Sequence, residues 1–144
     1  MKEEYQSVSI LLVEDDDLDA KAVQRAFRKL RIANNFVRAK DGVEALELLR
    51  GEDSEITLGR PNIILLDLNM PRMNGLEFLE EVRRDEELRD QVIFVLTTSK
   101  ADEDKAAAYK GNVAGYIIKS DVGSGFSKVL EMLQYYWKVV VLPD

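Results

Sequence analysis

Five short apolar runs divide the chain, and a stretch with helical spacing separates each from the next. The runs are Ser9–Val13, Phe36–Ala39, Ile63–Leu66, Val92–Leu96 and Gly115–Ile118. Short apolar strands that alternate with helices pair in parallel and are buried on both faces. The chain is therefore expected to form one open α/β sheet covered by helices. Its 144 residues suit a single domain over residues 1–144, with the apolar residues 139–144 as a short C-terminal extension.

The helical stretches carry their own signals. Leu18, Ala22, Val23, Ala26, Phe27 and Leu30 are expected on one face of the first helix. Asp41-Gly42-Val43-Glu44 and Asn74-Gly75-Leu76-Glu77 read as capping boxes that open the second and third helices. The third helix turns Phe78, Leu79 and Val82 inward. Ala101–Lys110 is Ala-rich, acidic at its start and thin in apolar residues, which marks a loosely packed, mobile element. A last helix over about Val122–Lys138 buries Phe126, Val129, Leu130 and Leu133. Tyr135, Tyr136 and Trp137 read equally as a partner surface or as packing for that helix.

Composition removes several function classes. There is no histidine and no cysteine, which excludes histidine acid–base chemistry, thiolate metal sites and disulfides. A net charge of −7 disfavours nucleic acid as a direct partner. No apolar run approaches the length of a membrane span, and Met1-Lys2-Glu3-Glu4 does not open a signal peptide, so a cytoplasmic location without membrane contact is expected.

The polar residues that remain fall at strand ends. Glu14, Asp15 and Asp16 follow the first run, Asp67 the third, Thr97 the fourth and Lys119 the fifth. Ligands of open α/β sheets bind at that edge. Carboxylates gathered there repel one another unless a cation lies among them, which points to Mg²⁺ (with Mn²⁺ as its substitute) and to phosphate chemistry. Asp15 and Asp67 can supply direct oxygens, and Glu14 or Asp16 can act through water. The Pro71 turn brings the backbone carbonyl of Asn69 close. A spare oxygen of Asp67 can then act as nucleophile and form an aspartyl phosphate, with Lys119 and Thr97 on the phosphoryl oxygens. Taken singly, Glu14-Asp15-Asp16 also reads as a helix cap with solvated charge, Thr97 as a strand-end hydroxyl and Lys119 as a surface lysine.

These pieces together resemble the receiver domain of two-component response regulators. The resemblance is carried by Leu12-Val13-Glu14-Asp15-Asp16, Asp67-Leu68-Asn69-Met70-Pro71-Arg72-Met73-Asn74-Gly75, Leu96-Thr97 and Gly115-Tyr116-Ile117-Ile118-Lys119. It implies a flavodoxin-like, doubly wound five-stranded parallel sheet of order 2-1-3-4-5 with five flanking helices, an example of which the general rule for such folds already includes. It implies Asp67 as phosphoacceptor, and Glu14, Asp15, Asp67 and the Asn69 carbonyl as metal ligands. Thr97 and Tyr116 would be switch residues and Lys119 the phosphate partner. Phosphate would come from a phosphohistidine on a sensor histidine kinase, and the protein would not be an enzyme beyond its own phosphotransfer and autodephosphorylation. The polar loop Gly51–Arg60 and the ending Trp137-Lys138-Val139-Val140-Val141-Leu142-Pro143 look like single-domain regulators partnered with phytochrome-like kinases.

Two positions depart from the family pattern or vary within it. Ser120 follows Lys119 where many receivers have proline, and Ser99 lies two residues after Thr97, where receivers tune the lifetime of the phosphate. The expected function is a stand-alone response regulator whose output is protein contact, and the fourth helix, fifth strand and fifth helix form a candidate homodimer face. Its rivals are a receiver-fold adaptor that is never phosphorylated and an Asp-nucleophile phosphatase of the haloacid-dehalogenase type. The latter needs a second acid where this chain has Asn69.

Overall fold

The computed structural model describes residues 8–32, 34–52, 56, 58–59, 61–121 and 126–143. In chain order the elements are β1 (Ser9–Val13), α1 (Asp17–Lys29), β2 (Phe36–Ala39), α2 (Gly42–Leu49), β3 (Asn62–Leu66), α3 (Gly75–Arg84), β4 (Val92–Thr97), α4 (Asp102–Lys110), β5 (Gly115–Ile118) and α5 (Ser127–Val139), with a 3₁₀ turn at Lys119–Asp121. The strands pair in parallel in the order β2-β1-β3-β4-β5, as expected. The register sets Leu11 beside Ile64, Val13 beside Leu66, Leu66 beside Val95 and Leu96 beside Ile117.

Strand side chains alternate between two cores. Ile10, Leu12, Ile63, Leu65, Phe94 and Leu96 pack toward α1 and α5, where Phe27, Leu130 and Leu133 meet them. Leu11, Val13, Ile64, Leu66, Ile93 and Val95 pack the other way, against residues of α2, α3 and α4. The β3 run Ile63–Leu66 is fully buried because both faces are covered.

Leu18 departs from the expectation for α1, being 78% exposed. At 3.6 residues per turn it points roughly 140° away from the stripe around Val23, and Ala20 takes a buried place instead. Asp41 accepts from the Glu44 N–H at 2.9 Å, while the Glu44 carboxylate reaches Lys40 N–H at 3.1 Å. The box at Asn74 and Glu77 is complete, with both arms present. α5 starts later than expected, at Ser127, because Phe126 has a left-handed φ of 58° that cannot continue a helix. The expected helix start at Val122 lies outside the described residues, as do Met1–Ser7, half of the polar loop Gly51–Arg60 and Asp144. Trp137 is buried and Tyr136 packs edge-on against Phe94 at 5.3 Å, whereas Tyr135 is exposed. Beyond α5, Leu142 returns to the α1–α5 core while Val141 faces outward, as does Val139 at the end of the helix. Among the described residues no helix is long and apolar enough to cross a membrane.

Candidate functional site at the carboxyl edge of the sheet

Parallel pairing brings the ends of β1, β3, β4 and β5 to one edge. β1 runs directly into Glu14, whose N–H donates to Ala39 O at 3.0 Å. β3 runs into Asp67, whose N–H donates to Val13 O at 3.0 Å. These two bonds continue the ladders one step past the strands and seat two buried acids side by side. Asp67 is only 7% exposed, and Asp15 is exposed. Carboxylate oxygens of Glu14, Asp15 and Asp67 all lie within 4.8 Å of one another. Three carboxylates at that spacing form an oxygen donor set suited to a hard divalent cation. Asp16 stands apart from the group and caps α1, accepting from Leu18 N–H at 2.9 Å and Asp19 N–H at 3.0 Å. Asn69 is exposed in the turn that leaves β3.

Lys119 follows β5 and is buried, with its ammonium against Glu14 Oε1 at 2.6 Å and Asp19 Oδ2 at 2.7 Å. Two of its three N–H donors are thus committed to carboxylates, one of them Glu14 beside Asp67. Burial alone would pull Lys119 down, but Asp19 and Glu14 outweigh it and the ammonium ends above its ordinary value. Burial pushes Glu14 up to about 7, with Asp67 adding to the rise and Lys119 opposing it. Ser120, after Lys119, lies in the 3₁₀ turn.

Thr97 ends β4, is 0% exposed and accepts from Ser99 N–H at 3.3 Å. Ser99 links to the next helix, donating to Asp104 Oδ2 at 2.6 Å. Tyr116 on β5 is half-buried and donates its hydroxyl to Ser99 O at 3.0 Å. Burial raises the Tyr116 phenol, and Asp104 and Asp67 add to this. Thr97, Ser99, Asp104 and Tyr116 therefore form one chain of contacts from the rim to α4.

Asp19, Arg38, Asp41 and Arg72 were not read as site residues from the sequence. Asp19 holds Lys119 across 100 residues of chain. Arg38 donates to Glu14 O at 2.9 Å and to Asp17 at 2.8 Å. Arg72 grips Asp41 with two hydrogen bonds. The signal available for Asp19 is its place in the first turn of a helix leaving the rim, which keeps its carboxylate near the strand ends.

Known proteins are similar to this chain in sequence and fold. Response regulator Rcp1 of Synechocystis is 34% identical over 135 residues, covering 93% of this chain and 92% of that protein. The crystal structure of the Mn²⁺-bound form of Rcp1 superposes with a TM-score of 0.80 at 33% identity, over 94% of this chain and 99% of that one. The phosphorylated cyanobacterial phytochrome response regulator RcpA gives a TM-score of 0.83 at 34% identity, over 94% and 98%. A probable methanogenesis regulatory protein, FilR2 of Methanothrix harundinacea, is 37% identical over 130 residues, covering 89% of this chain and 82% of its own. The family described as response regulator receiver domain matches residues 10–129, which contain β2 to β5, all of β1 but Ser9, and Glu14, Asp15 and Asp67. With its flavodoxin-like sheet and its acidic edge, this chain belongs to the response regulator receiver domains of two-component systems.

Proposed function

We propose that this receiver accepts a phosphoryl group on Asp67 from the phosphohistidine of a sensor histidine kinase, and that the modified form switches a protein-contact surface. The observation that carries the reading is the buried Asp67 carboxylate beside Glu14 and Asp15, with the Lys119 ammonium already held at Glu14. An Asp67 oxygen attacks phosphorus, the N–P bond of the donor breaks, and its electron pair returns to the imidazole. Glu14, Asp15, Asp67 and the Asn69 carbonyl would hold Mg²⁺ or Mn²⁺. When bound, that cation neutralises charge on the transferring phosphoryl oxygens. Lys119 stabilises the same charge from the other side, and Thr97 donates its hydroxyl to a phosphoryl oxygen. Acyl phosphates hydrolyse, so the state is transient.

Movement of Thr97 toward the phosphoryl group pulls on Ser99 and hence on α4 and Tyr116. The α4–β5–α5 face then changes its population of shapes, and a near-complete switch needs about 5 kcal/mol of preference. Output through that face, by a target protein or a second copy of the chain, follows. The names of RcpA and of the bacteriophytochrome regulator AtBRR, 32% identical, support a phytochrome-like sensor as the kinase class. Direct action without nucleic acid fits the −7 charge. Asn69, two residues after Asp67, disfavours the phosphatase chemistry that requires an acid there.

Intact mass after incubation with acetyl phosphate and Mg²⁺ tests the reading. A gain of one phosphoryl group is expected, absent in Asp67→Asn and absent with a chelator. A folded wild-type protein that gains nothing from acetyl phosphate or from a cognate kinase would favour the phosphorylation-independent adaptor.

A further inference from the structure

We propose that Arg72 and Asp41 form a positioning clamp for the metal edge of the site. They would hold the β3–α3 turn so that its Asn69 carbonyl stays aimed at the carboxylates. The inference rests on the proposed metal site and extends it to two residues that touch neither cation nor phosphate.

The turn between Asp67 and α3 is fastened at two places. Near its start and end, Gly75 N–H donates to Leu68 O at 2.8 Å. A Cβ on Gly75 would lie 2.4 Å from Asp67 O, so the backbones approach there as closely as only glycine permits. The outer part, Pro71-Arg72-Met73, is fastened to the start of α2 instead. Arg72 Nε meets Asp41 Oδ2 at 2.7 Å and Arg72 Nη2 meets Asp41 Oδ1 at 3.0 Å. Gly42 N–H donates to Met73 O at 3.2 Å, and a Cβ on Gly42 would press into the Met73 side chain at 2.8 Å.

Three features give this fastening a purpose beyond general stability. First, Arg72 has φ of 61°, a conformation that is uncommon for a non-glycine residue and persists where surroundings fix it. Second, Arg72 is 60% exposed while Asp41 is buried, so the pair joins a surface turn to a fixed helix cap rather than filling a core. Third, β1 lies between β2 and β3 in the sheet. A link from Asp41, just past β2, to Arg72, in the turn after β3, therefore spans the end of β1 where Glu14 and Asp15 emerge. Both Asp41 oxygens are engaged by the planar guanidinium, which a lysine cannot reproduce.

The decisive measurement is binding of Mn²⁺ alone, followed by electron paramagnetic resonance. It compares the wild type with Arg72→Ala, Arg72→Gly, Arg72→Lys and Asp15→Asn, with thermal melts of each. Coulomb's law alone predicts that deleting a cation from the rim tightens Mn²⁺ binding. The clamp predicts the opposite, about tenfold weaker binding in Arg72→Ala and Arg72→Gly, of the size seen when outer-shell support is lost. Arg72→Lys, which keeps the charge but not the fork, should fall between. Glycine is at ease at this φ, so recovery of wild-type affinity in Arg72→Gly would assign the effect to backbone strain and overturn the clamp. Unchanged or tighter binding in Arg72→Ala, with Asp15→Asn still losing the ion, would overturn the clamp and leave the metal site standing. Absence of Mn²⁺ binding in the wild type, or wild-type binding in Asp15→Asn, would overturn both.

Discussion

α3 and α4 occupy equivalent places in the fold, each following a strand with a rim residue at or just past its end, yet they are built to opposite standards. α3 starts with a complete capping box at Asn74 and Glu77, and buries Phe78, Leu79 and Val82. α4 has no side-chain cap and buries Ala108 alone, with three acids in its first turn. Its start is held by the Ser99–Asp104 contact. Its far end is held by Arg83 of α3, which donates to Gly111 O at 2.6 Å and Asn112 O at 3.0 Å. The side that follows Asp67 is thus set rigidly, as the chemistry proposed for its carboxylate requires. The side that follows Thr97 has few apolar contacts to break, as a moving element requires.

Replacing the aromatic residue on each helix should expose this difference most strongly. Phe78 is 0% exposed, and Phe78→Ala is expected to lower unfolding free energy by about 3–5 kcal/mol. Tyr109 on α4 is 50% exposed, and Tyr109→Ala should change it by less than about 0.5 kcal/mol. Urea unfolding of both variants makes the comparison, and equal losses would dissolve the distinction between the two helices.

A smaller effect concerns the acids on the rigid side. Glu14 is raised to about 7 by burial, against a carboxyl near 4.3 in an unfolded chain. Between those values the native state keeps a proton that the unfolded chain has released. The resulting contribution to stability is full below about pH 4 and is lost as pH rises through 7. In metal-free protein, wild type should therefore lose on the order of 2 kcal/mol relative to Glu14→Gln between pH 5 and pH 8. Melting curves at several pH values check the sign. Below that in size stands Asn74→Ala, which removes the α3 cap and should cost about 1 kcal/mol in the same denaturation assay.

The rigid side was also the more legible side. Strand boundaries, the acids at strand ends and the Asn74 box are local patterns, with period or spacing visible within a few residues. The thin face of α4 was legible for the same reason. Leu18 was misplaced because its i+4 partner Ala22 lies only at the margin of the buried stripe, so spacing alone drew it in. The Arg72–Asp41, Arg38–Glu14 and Lys119–Asp19 contacts join positions 31, 24 and 100 residues apart, and nothing in the local sequence links them. The aromatic run of α5 was undecidable until the helix phase was known. Trp137 falls in line with Leu130 and Leu133, and Tyr135 is turned to the outside.

The finest test of the comparison concerns the side-chain bonds of Ser99 at the start of α4. Ser99 Oγ donates to Asp104 Oδ2, and Ala101 N–H donates to Ser99 Oγ at 3.3 Å. Together they stand in for the cap that Ala101 itself cannot supply. Asp104→Ala removes the carboxylate, and the loss of one charge-assisted bond at a half-exposed site is worth about 1 kcal/mol. Because α4 contributes little to the core, that loss should appear as local opening rather than global unfolding. Native-state hydrogen exchange should show α4 amides opening at a free energy lower by about 1 kcal/mol. Those of α3, and the global unfolding free energy measured in urea, should move by less than about 0.5 kcal/mol. If α3 opened together with α4, the two helices would belong to one cooperative unit. A signal leaving Thr97 would then have to move the rigid side as well.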